Sequence, residues 1–340
     1  MTQFKWWDLY LQLTFWSILG FMAREGLTKL TFYTNSYINP NYLLGGSCIW
    51  SNFTASLVIS FLNNYNLPWK VLMFEEKVPN KKALVLYLAL TTGFAGSFSS
   101  FSTLVLEILA KTIDVLNTTQ KLPNHGYGVM EFFSVIFTQM GVSMIGYHLG
   151  TDLASVLTRY AGDLGFDHPK CRRWVRKLEL VTMVLGVLAW IANLVLSCTL
   201  HNRHFWKASW SFGIVFSPFA CFARYHLSKL NARSWFPIGT FLTNVSASIV
   251  LAVLNVLIHG ATKSGHRIIT NQLQLDVLVA LGSGFCGTYS TLSTFVNEIV
   301  GLKDEVQRAI YYFASLVVSF LTMLLILGCY SWTNGLKVSS

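Results

Sequence analysis

The feature that most constrains this chain is the placement of its charged residues. Nine stretches of fifteen residues or more contain no Asp, Glu, Lys or Arg. These stretches cover residues 9–23, 30–69, 83–106, 132–151, 180–202, 208–223, 234–262, 277–297 and 309–336. Because roughly 20 apolar residues span the hydrocarbon core of a bilayer, the pattern predicts an all-α polytopic membrane protein with nine transmembrane helices.

Composition excludes several other classes of protein. Of 340 residues, 53% are hydrophobic and only 12% are charged, whereas a soluble domain carries roughly 25% charged residues. This balance argues against a soluble enzyme, a disulfide scaffold and a nucleic-acid-binding domain, although the net charge is +10. Five of the six cysteines lie in apolar stretches without metal-ligand spacing, which indicates small packed thiols.

The basic residues predict how the chain is oriented in the membrane. With nine spans, the side that holds the amino terminus collects fifteen Lys and Arg residues and the opposite side collects nine. The positive-inside rule then places the amino terminus in the cytoplasm and the carboxyl terminus on the opposite side of the membrane. We expect this membrane to be the plasma membrane, with the carboxyl terminus outside the cell. The first apolar run ends at Arg24 without a small-residue cleavage site, so we interpret it as a retained helix rather than a signal peptide.

An internal repeat organises the chain. Residues 93–107 read GFAGSFSSFSTLVLE and residues 284–298 read GFCGTYSTLSTFVNE. Other shared landmarks occur at nearly the same offset, including an Ala-Arg pair that ends at Arg24 and at Arg224 and an Asn-x-x-Ala-Ser segment that starts at Asn52 and at Asn244. The chain therefore divides into a first four-helix unit over residues 1–178, a linker helix over 179–203 and a second four-helix unit over 204–340. An odd number of crossings between equivalent helices predicts an inverted repeat with a pseudo-two-fold axis in the membrane plane.

Hydroxyl groups at membrane depth indicate ion binding. The Gly-x-x-Gly spacing in each repeat favours a helix break, and two breaks that meet at the axis would turn carbonyl oxygens toward a hard cation. Tyr311, Ser315 and Ser319 fall at i, i+4 and i+8 on one helix face. Neutral donors of this kind, with aromatic ring edges, suit a small hydrated anion. Alignment through Gly150 and Gly328 places Phe133, Phe137 and Gly141 at the matching positions, so the first half has lost its hydroxyl ladder.

Four ionisable residues form repeat-related pairs near the ends of the charge-free stretches. They are Arg24, Arg224, Glu107 and Glu298, and we expect them in vestibules or at the membrane interface rather than deeply buried. No His-Glu-x-x-His, nucleophile elbow or phosphate loop is present. A multipass membrane enzyme is therefore disfavoured.

These motifs resemble the Fluc (CrcB-type) fluoride channels, and specifically their fused eukaryotic form, the fluoride exporters. The family pattern Gly-x-x-Gly-x-x-Thr-Thr-Phe-Ser-Thr-Phe…Glu is matched twice. The resemblance implies two antiparallel units in a single fused chain, enclosing two pores that expel fluoride passively and so protect the cell from its toxicity. The implied pore-lining residues are Asn52, Asn244, Ser102, Thr103, Ser293, Thr294, Tyr311, Ser315 and Ser319, together with a pair of phenylalanines.

The phenylalanine positions of the family are filled unequally. The first is Phe101 in one half and Leu292 in the other, and the second is Leu104 and Phe295. Since each pore of the family pairs the first position of one unit with the second position of the other, Phe101 and Phe295 complete one pore. Leu104 and Leu292, with Phe133 and Phe137, belong to a vestigial pore.

The resemblance also implies a structural sodium ion bound by backbone carbonyls of Gly96, Ser99, Gly287 and Ser290. A rival interpretation is an inverted-repeat secondary transporter for small cations or drugs, which would need Glu107 or Glu298 at its centre. Asn117-Thr118-Thr119 forms a glycosylation sequon on the predicted outer side.

Overall fold

The computed structural model describes residues 6–33, 36–38, 43, 45–115, 122–161, 168–199 and 208–337. The Asn117 sequon lies outside them. Over the described residues the chain is helical, with isolated β-bridges but no strand. The helices of the first half are α1 (Trp6–Leu30), α2 (Ile49–Asn64), α3 (Leu67–Glu76), α4 (85–98), α5 (Phe101–Thr112) and α6 (His125–Ala161). They are followed by α7 (His168–Thr199), α8 (Ala208–Ser228), α9 (Ile238–His259), α10 (272–289), α11 (Leu292–Gly301) and α12 (Glu305–Asn334).

Six described segments are long and apolar enough to cross a membrane. They are Val85–Thr112, Gly126–Tyr160, Arg172–Thr199, Ile238–His259, Gln272–Gly301 and Glu305–Asn334. The three other predicted spans fall on α1, α2 and α8, which are helical but are not in this set. Helix α2 has 16 residues, about 24 Å at 1.5 Å per residue, which is less than the thickness of a bilayer core. The count of nine spans thus remains a prediction.

The helices of the two halves correspond in order. Helices α1, α2, α4–α5 and α6 match α8, α9, α10–α11 and α12, and α7 stands between the two sets. Helix α7 packs on α1, α3 and α8 and leaves most of its apolar side chains exposed. Such a helix has its apolar surface available to lipid.

In each half, the helix that follows the break packs against helices of the opposite half. Helix α5 packs against α9 and α12 of the second half, and α11 packs against α2 and α6 of the first half. The largest hydrophobic cluster therefore contains residues of both halves, including Phe101, Leu104, Leu292 and Phe295, all with no exposed surface. Neither half builds this core alone.

Candidate ion pathway at the crossed helix breaks

Both repeats interrupt a helix at the same place. In the first half the break lies at Ser99 and Ser100, and in the second half it lies at Ser290 and Thr291; all four residues adopt extended backbone angles. A π-helical stretch precedes each break, over Ala89–Ala95 and over Leu281–Cys286. Such stretches leave some carbonyl groups outside the regular ladder and are frequent at functional sites.

A hydroxyl from the same half restarts each helix. The Ser100 side chain accepts a hydrogen bond from the Thr103 amide, and the Thr291 side chain accepts one from the Thr294 amide. Serine and threonine are favoured at this N-cap position because their oxygen satisfies an amide that has no partner within the helix.

The opposite half supplies a second cap. Ser99 Oγ accepts from the amides of Leu292 and Ser293, at 3.2 and 3.0 Å. Reciprocally, Ser290 Oγ accepts from the Ser102 amide at 3.1 Å. The Ser293 hydroxyl also forms a hydrogen bond with the Ser99 hydroxyl, and the Ser102 hydroxyl forms one with the Ser290 hydroxyl, each with an Oγ–Oγ distance of 2.9 Å. The breaks therefore cross and complete each other, and Ser102 and Ser293 bind the other half at this crossing.

An asparagine of the same half holds each break open. Asn52 Oδ1 accepts from the Ser100 amide and Asn244 Oδ1 accepts from the Thr291 amide, both at 2.9 Å. The side-chain nitrogens of the two asparagines donate to the backbone carbonyls of Ser100 and Thr291, at 3.4 and 3.3 Å respectively. Both asparagines are fully buried, so they pair with backbone groups that a continuous helix would have satisfied.

These caps remove helical donors from the carbonyls of Gly96, Ser99, Gly287 and Ser290. In a continuous helix their partners would be the amides four residues later, namely those of Ser100, Thr103, Thr291 and Thr294. These amides instead donate to Asn52 Oδ1, Ser100 Oγ, Asn244 Oδ1 and Thr291 Oγ1. Carbonyl oxygens are ligands suited to a hard cation, so the donor set fits a sodium ion.

The two repeat-related arginines are buried against the breaks. Arg24 donates to the carbonyls of Ser97 and Ser283, each at 2.5 Å, and Arg224 donates to the Thr92 carbonyl at 2.6 Å. Their exposed fractions are 2% and 4%, so they do not lie in the open vestibules that we expected. Ser283 and Thr92 belong to the π-helical stretches, whose irregular carbonyls compensate the guanidinium groups for lost water.

The glycines of the breaks allow this approach. A β-carbon at Gly96 would lie 2.1 Å from Arg224 Nη1, and one at Gly287 would lie 2.8 Å from Arg24 Nη2. Each arginine therefore lies against the break of the opposite half, at a position where a side chain would displace it.

Replacing Arg24 by leucine is expected to destabilise the fold by about 3 kcal/mol, because two charge-assisted hydrogen bonds to backbone carbonyls are lost. Thermal unfolding of the detergent-solubilised protein measures the effect. Arg159→Leu, at an exposed position on α6, is the control. Equal midpoints for the two variants would contradict this role of Arg24.

The structure brings Phe101 and Phe295 together. Their ring centroids lie 5.1 Å apart at an interplanar angle of 71°. Tyr311 follows on the other side of Phe295, with centroids 5.0 Å apart. All three rings have no exposed surface. They form a row between α5, α11 and α12 that presents ring edges, which carry partial positive charge.

The predicted hydroxyl ladder lies on the inner face of α12. Tyr311, Ser315 and Ser319 are fully buried. Ser315 donates to the carbonyl of Tyr311 at 2.8 Å, whereas Ser319 Oγ has no hydrogen-bond partner among the described residues. A buried hydroxyl without a partner costs free energy, so this position favours a guest that accepts a hydrogen bond.

Glu298 binds the hydroxyl group of Tyr311, at the amino-terminal end of this ladder. Tyr311 donates to Glu298 Oε2 at 2.7 Å, and Thr240 and Asn231 donate to Oε1 at 2.7 and 2.8 Å. The carboxylate is thus held by three neutral donors, and its side chain is only partly exposed. Sequence reasoning missed Asn231, which lies outside the repeated motif.

Glu107 has an equivalent network in the first half. Ser47 donates to it at 2.9 Å and Gln139 donates to Oε2 at 2.5 Å. Glu107 is 4% exposed and, like the arginines, does not face an open vestibule. Because Tyr311 and Gln139 donate to repeat-related glutamates, Gln139 is the structural counterpart of Tyr311.

This correspondence corrects the predicted register of the first half. Phe133 and Phe137 are 46% and 70% exposed, so they lie on the outer face of α6 and not beside a second pore. The inner face instead carries Gln139, Ser143 and Tyr147, spaced i, i+4 and i+8 like the ladder of α12. The first half has kept a polar track with different side chains.

The two glycines used for the alignment have different roles. A β-carbon at Gly150 would lie 2.2 Å from the Leu57 carbonyl on α2, so this glycine serves a close helix contact. At Gly328 the nearest atom belongs to Leu324 of the same helix, 2.8 Å away. A search for the i, i+4, i+8 polar spacing would have found the correct register.

A polar pocket opens beside the second break. It is lined by hydroxyl-bearing residues, an arginine and a glycine: Thr92, Ser228, Thr240, Thr243, Thr291, Thr294, Arg224 and Gly239. Arg224 Nε and Nη1 have no hydrogen-bond partner among the described residues. Thr240 connects the pocket to Glu298 and, through it, to Tyr311. Hydroxyls with a guanidinium group form an environment for an anion.

The fold and this site define a helical multi-pass membrane protein built from two repeated units that cross at broken helices. The family model of the CrcB-like protein, Camphor Resistance (CrcB), matches residues 211–329. The fluoride export protein 1 of Candida albicans is 37% identical over 339 residues, which cover 98% of this chain and 82% of the relative.

More distant relatives extend the comparison. The fluoride export protein 1 of Saccharomyces cerevisiae is 30% identical and covers 95% of this chain and 93% of its own length. The fluoride-specific ion channel FluC 2 of Moorella thermoacetica is 35% identical over 95 residues, 26% of this chain and 69% of its own. No solved structure gives a significant match. The chain belongs to the fluoride export family, the fused fungal form of the CrcB-type proteins, which confirms the resemblance found in the sequence.

Proposed function

We propose that this protein is a passive fluoride channel that carries fluoride out of the cytoplasm through one pore between its two halves. The observation that supports this most directly is the row formed by Phe101, Phe295 and Tyr311, which continues into Ser315 and Ser319. The relatives named above as fluoride export proteins and a fluoride-specific ion channel support the choice of ion.

The contents of the row favour an anion that moves without being trapped. Hydroxyl groups and ring edges replace the hydration shell one contact at a time, and the row itself contains no Lys or Arg. Ser319, whose buried hydroxyl lacks a described partner, offers the kind of donor that a dehydrated fluoride ion needs.

The unequal partners of the two asparagines support a single working pore. Asn244 lies on α9, which packs with α5, the helix that begins at Phe101. Asn52 instead contacts Cys48 Sγ and Gln139 Oε1, at 3.2 and 3.3 Å, on the side of Leu292. We therefore assign Asn244 to the working pore and Asn52 to the vestigial one, which lacks both phenylalanines.

The pocket at Arg224 is our candidate for one mouth of the pore. The Arg224 guanidinium, whose Nε and Nη1 have no partner among the described residues, attracts an anion, while Thr240 links the pocket to the carboxylate that positions Tyr311. With the amino terminus inside, the nine predicted spans place the carboxyl terminus outside the cell. A plasma membrane potential, negative inside, would then expel each fluoride with about 2.3 kcal/mol per 100 mV and so limit its toxicity.

A sodium ion at the crossing would be held by the carbonyls of Gly96, Ser99, Gly287 and Ser290. It would supply positive charge and join the two breaks, without taking part in permeation. We expect NaCl to raise the thermal unfolding midpoint of the detergent-solubilised protein by about 5 °C over equal concentrations of KCl or choline chloride. Equal midpoints in the three salts would contradict a sodium site.

Fluoride efflux from liposomes tests the proposal itself. The purified chain is reconstituted with internal potassium fluoride, and a fluoride electrode follows efflux after valinomycin sets the potential. We expect rapid fluoride efflux, no matching chloride efflux and no need for a proton gradient. Proton-dependent transport, or transport of a small cation or drug through Glu107 or Glu298, would support the rival secondary transporter.

A further inference from the structure

Helix α7 carries a basic face at its start that the ion pathway does not use. Lys170, Arg173, Trp174 and Lys177 line one shallow pocket and occupy positions i, i+3, i+4 and i+7, which share a helix face. All four side chains are exposed, and Trp174 has an exposed fraction of 72%. Lys177 Nζ lies 5.5 Å from the centroid of the Trp174 ring, so this ammonium group and this indole ring form a compact surface.

Two neighbouring basic residues of this segment interact with the end of α3. Arg172 forms an ion pair with Glu75 at the end of α3, at 3.6 Å. The charges of Arg172 and Arg176 also oppose the rise in the pKa of Glu76 that burial causes. These contacts turn Arg172 toward α3, and the pocket residues lie on a different face of α7.

The apolar surface of α7 continues the same stripe. Leu178, Val181, Leu185 and Leu188 follow Trp174 at helical spacing and have exposed fractions of 43%, 54%, 47% and 57%. Leucine and valine at this exposure suit lipid chains, while tryptophan is enriched at the level of the headgroups. The basic pocket therefore lies one turn before the exposed apolar surface of α7.

We propose that Lys170, Arg173, Trp174 and Lys177 bind the headgroup of a phosphoinositide in the cytoplasmic leaflet. Clusters of Lys and Arg directly beside a transmembrane helix attract anionic lipids, and the predicted orientation places this end of α7 inside the cell. Three cationic side chains around one pocket favour a headgroup with several phosphate charges. The adjoining Leu178 and Val181 favour a ligand that keeps its acyl chains.

Binding of a fluorescent dioctanoyl phosphatidylinositol 4,5-bisphosphate to the detergent-solubilised full-length protein tests this site by anisotropy. We expect the double variant Arg173→Gln, Lys177→Gln to bind about thirtyfold more weakly than the parent. The matched control is Lys70→Gln, Lys303→Gln, which removes two exposed charges elsewhere and is expected to bind like the parent.

Two further arms identify the ligand. We expect free inositol 1,4,5-trisphosphate to compete at least tenfold less well than the lipid, and dioctanoyl phosphatidylserine at equal total charge to compete poorly. Equal competition by either compound, or equal losses in both double variants, would overturn the proposal. Unchanged fluoride efflux and a single gel-filtration peak for the variants establish that they fold, so a failure of this proposal is distinguishable from failure of the channel function.

Discussion

Fluoride efflux is expected to fall about a hundredfold when Phe101 or Phe295 is replaced by isoleucine, because removal of one ring raises the barrier by about 3 kcal/mol. The two rings contact each other, and Phe295 also contacts Tyr311. An aliphatic side chain fills part of the space but presents no electropositive edge to the ion. Liposomal efflux at equal protein density measures the loss.

The leucines that occupy the phenylalanine positions of the vestigial pore provide the control. Leu104 and Leu292 are as deeply buried as the two phenylalanines and lie in the same hydrophobic cluster. We expect Leu104→Ile and Leu292→Ile, which conserve side-chain volume, to change efflux less than threefold. Loss of efflux in the leucine variants, with normal efflux in the phenylalanine variants, would disprove the assignment of the working pore.

Alanine at Asn244 is expected to reduce efflux about thirtyfold, while alanine at Asn52 is expected to leave it within threefold of the parent. Both asparagines make the same pair of hydrogen bonds to their own helix break. Each substitution should therefore lower the free energy of unfolding by about 2 kcal/mol. Asn244 lies on α9, which packs with the helix that begins at Phe101, whereas Asn52 lies on α2, which packs with the helix that begins at Leu292.

Stability and efflux must be measured together on this pair. Matching unfolding midpoints combined with unequal efflux would separate pore lining from the support of the break. Equal loss of efflux in both variants would contradict a single working pore, and the opposite inequality would assign the pathway to the Asn52 side.

Much of the crossing could be predicted from the sequence because its chemistry is local. Gly-x-x-Gly followed by hydroxyl residues in both repeats predicts a helix break, and the Ser and Thr caps that restart each helix are short-range contacts. The carbonyls expected to bind sodium are the ones whose helical donors are taken by Asn52, Asn244, Ser100 and Thr291. The resemblance to the family paired Phe101 with Phe295 in one pore, and the structure shows these two rings in contact.

The remaining features depend on contacts between distant segments. Arg24 and Arg224 are buried because the π-helical stretch of the opposite half presents a carbonyl to each guanidinium, and charge patterning does not contain this pairing. Alignment through Gly150 and Gly328 places the ladder of α6 six residues away from Gln139, because the two glycines match by residue type but only Gly150 makes a close contact with another helix. Repeat-related glutamates, with their hydrogen-bond donors, are the better reference.

The reciprocal capping by Ser99 and Ser290 sets an order for the synthesis of this chain. The Ser102 amide at the start of α5 is capped by Ser290, which is made 188 residues later. At 5–20 residues per second this interval is about 10–40 s. During that time the first half lacks the Ser290 contacts that complete the start of α5. Until Ser290 is made, the Ser102 amide lacks this cap and the start of α5 depends on Ser100 of its own half.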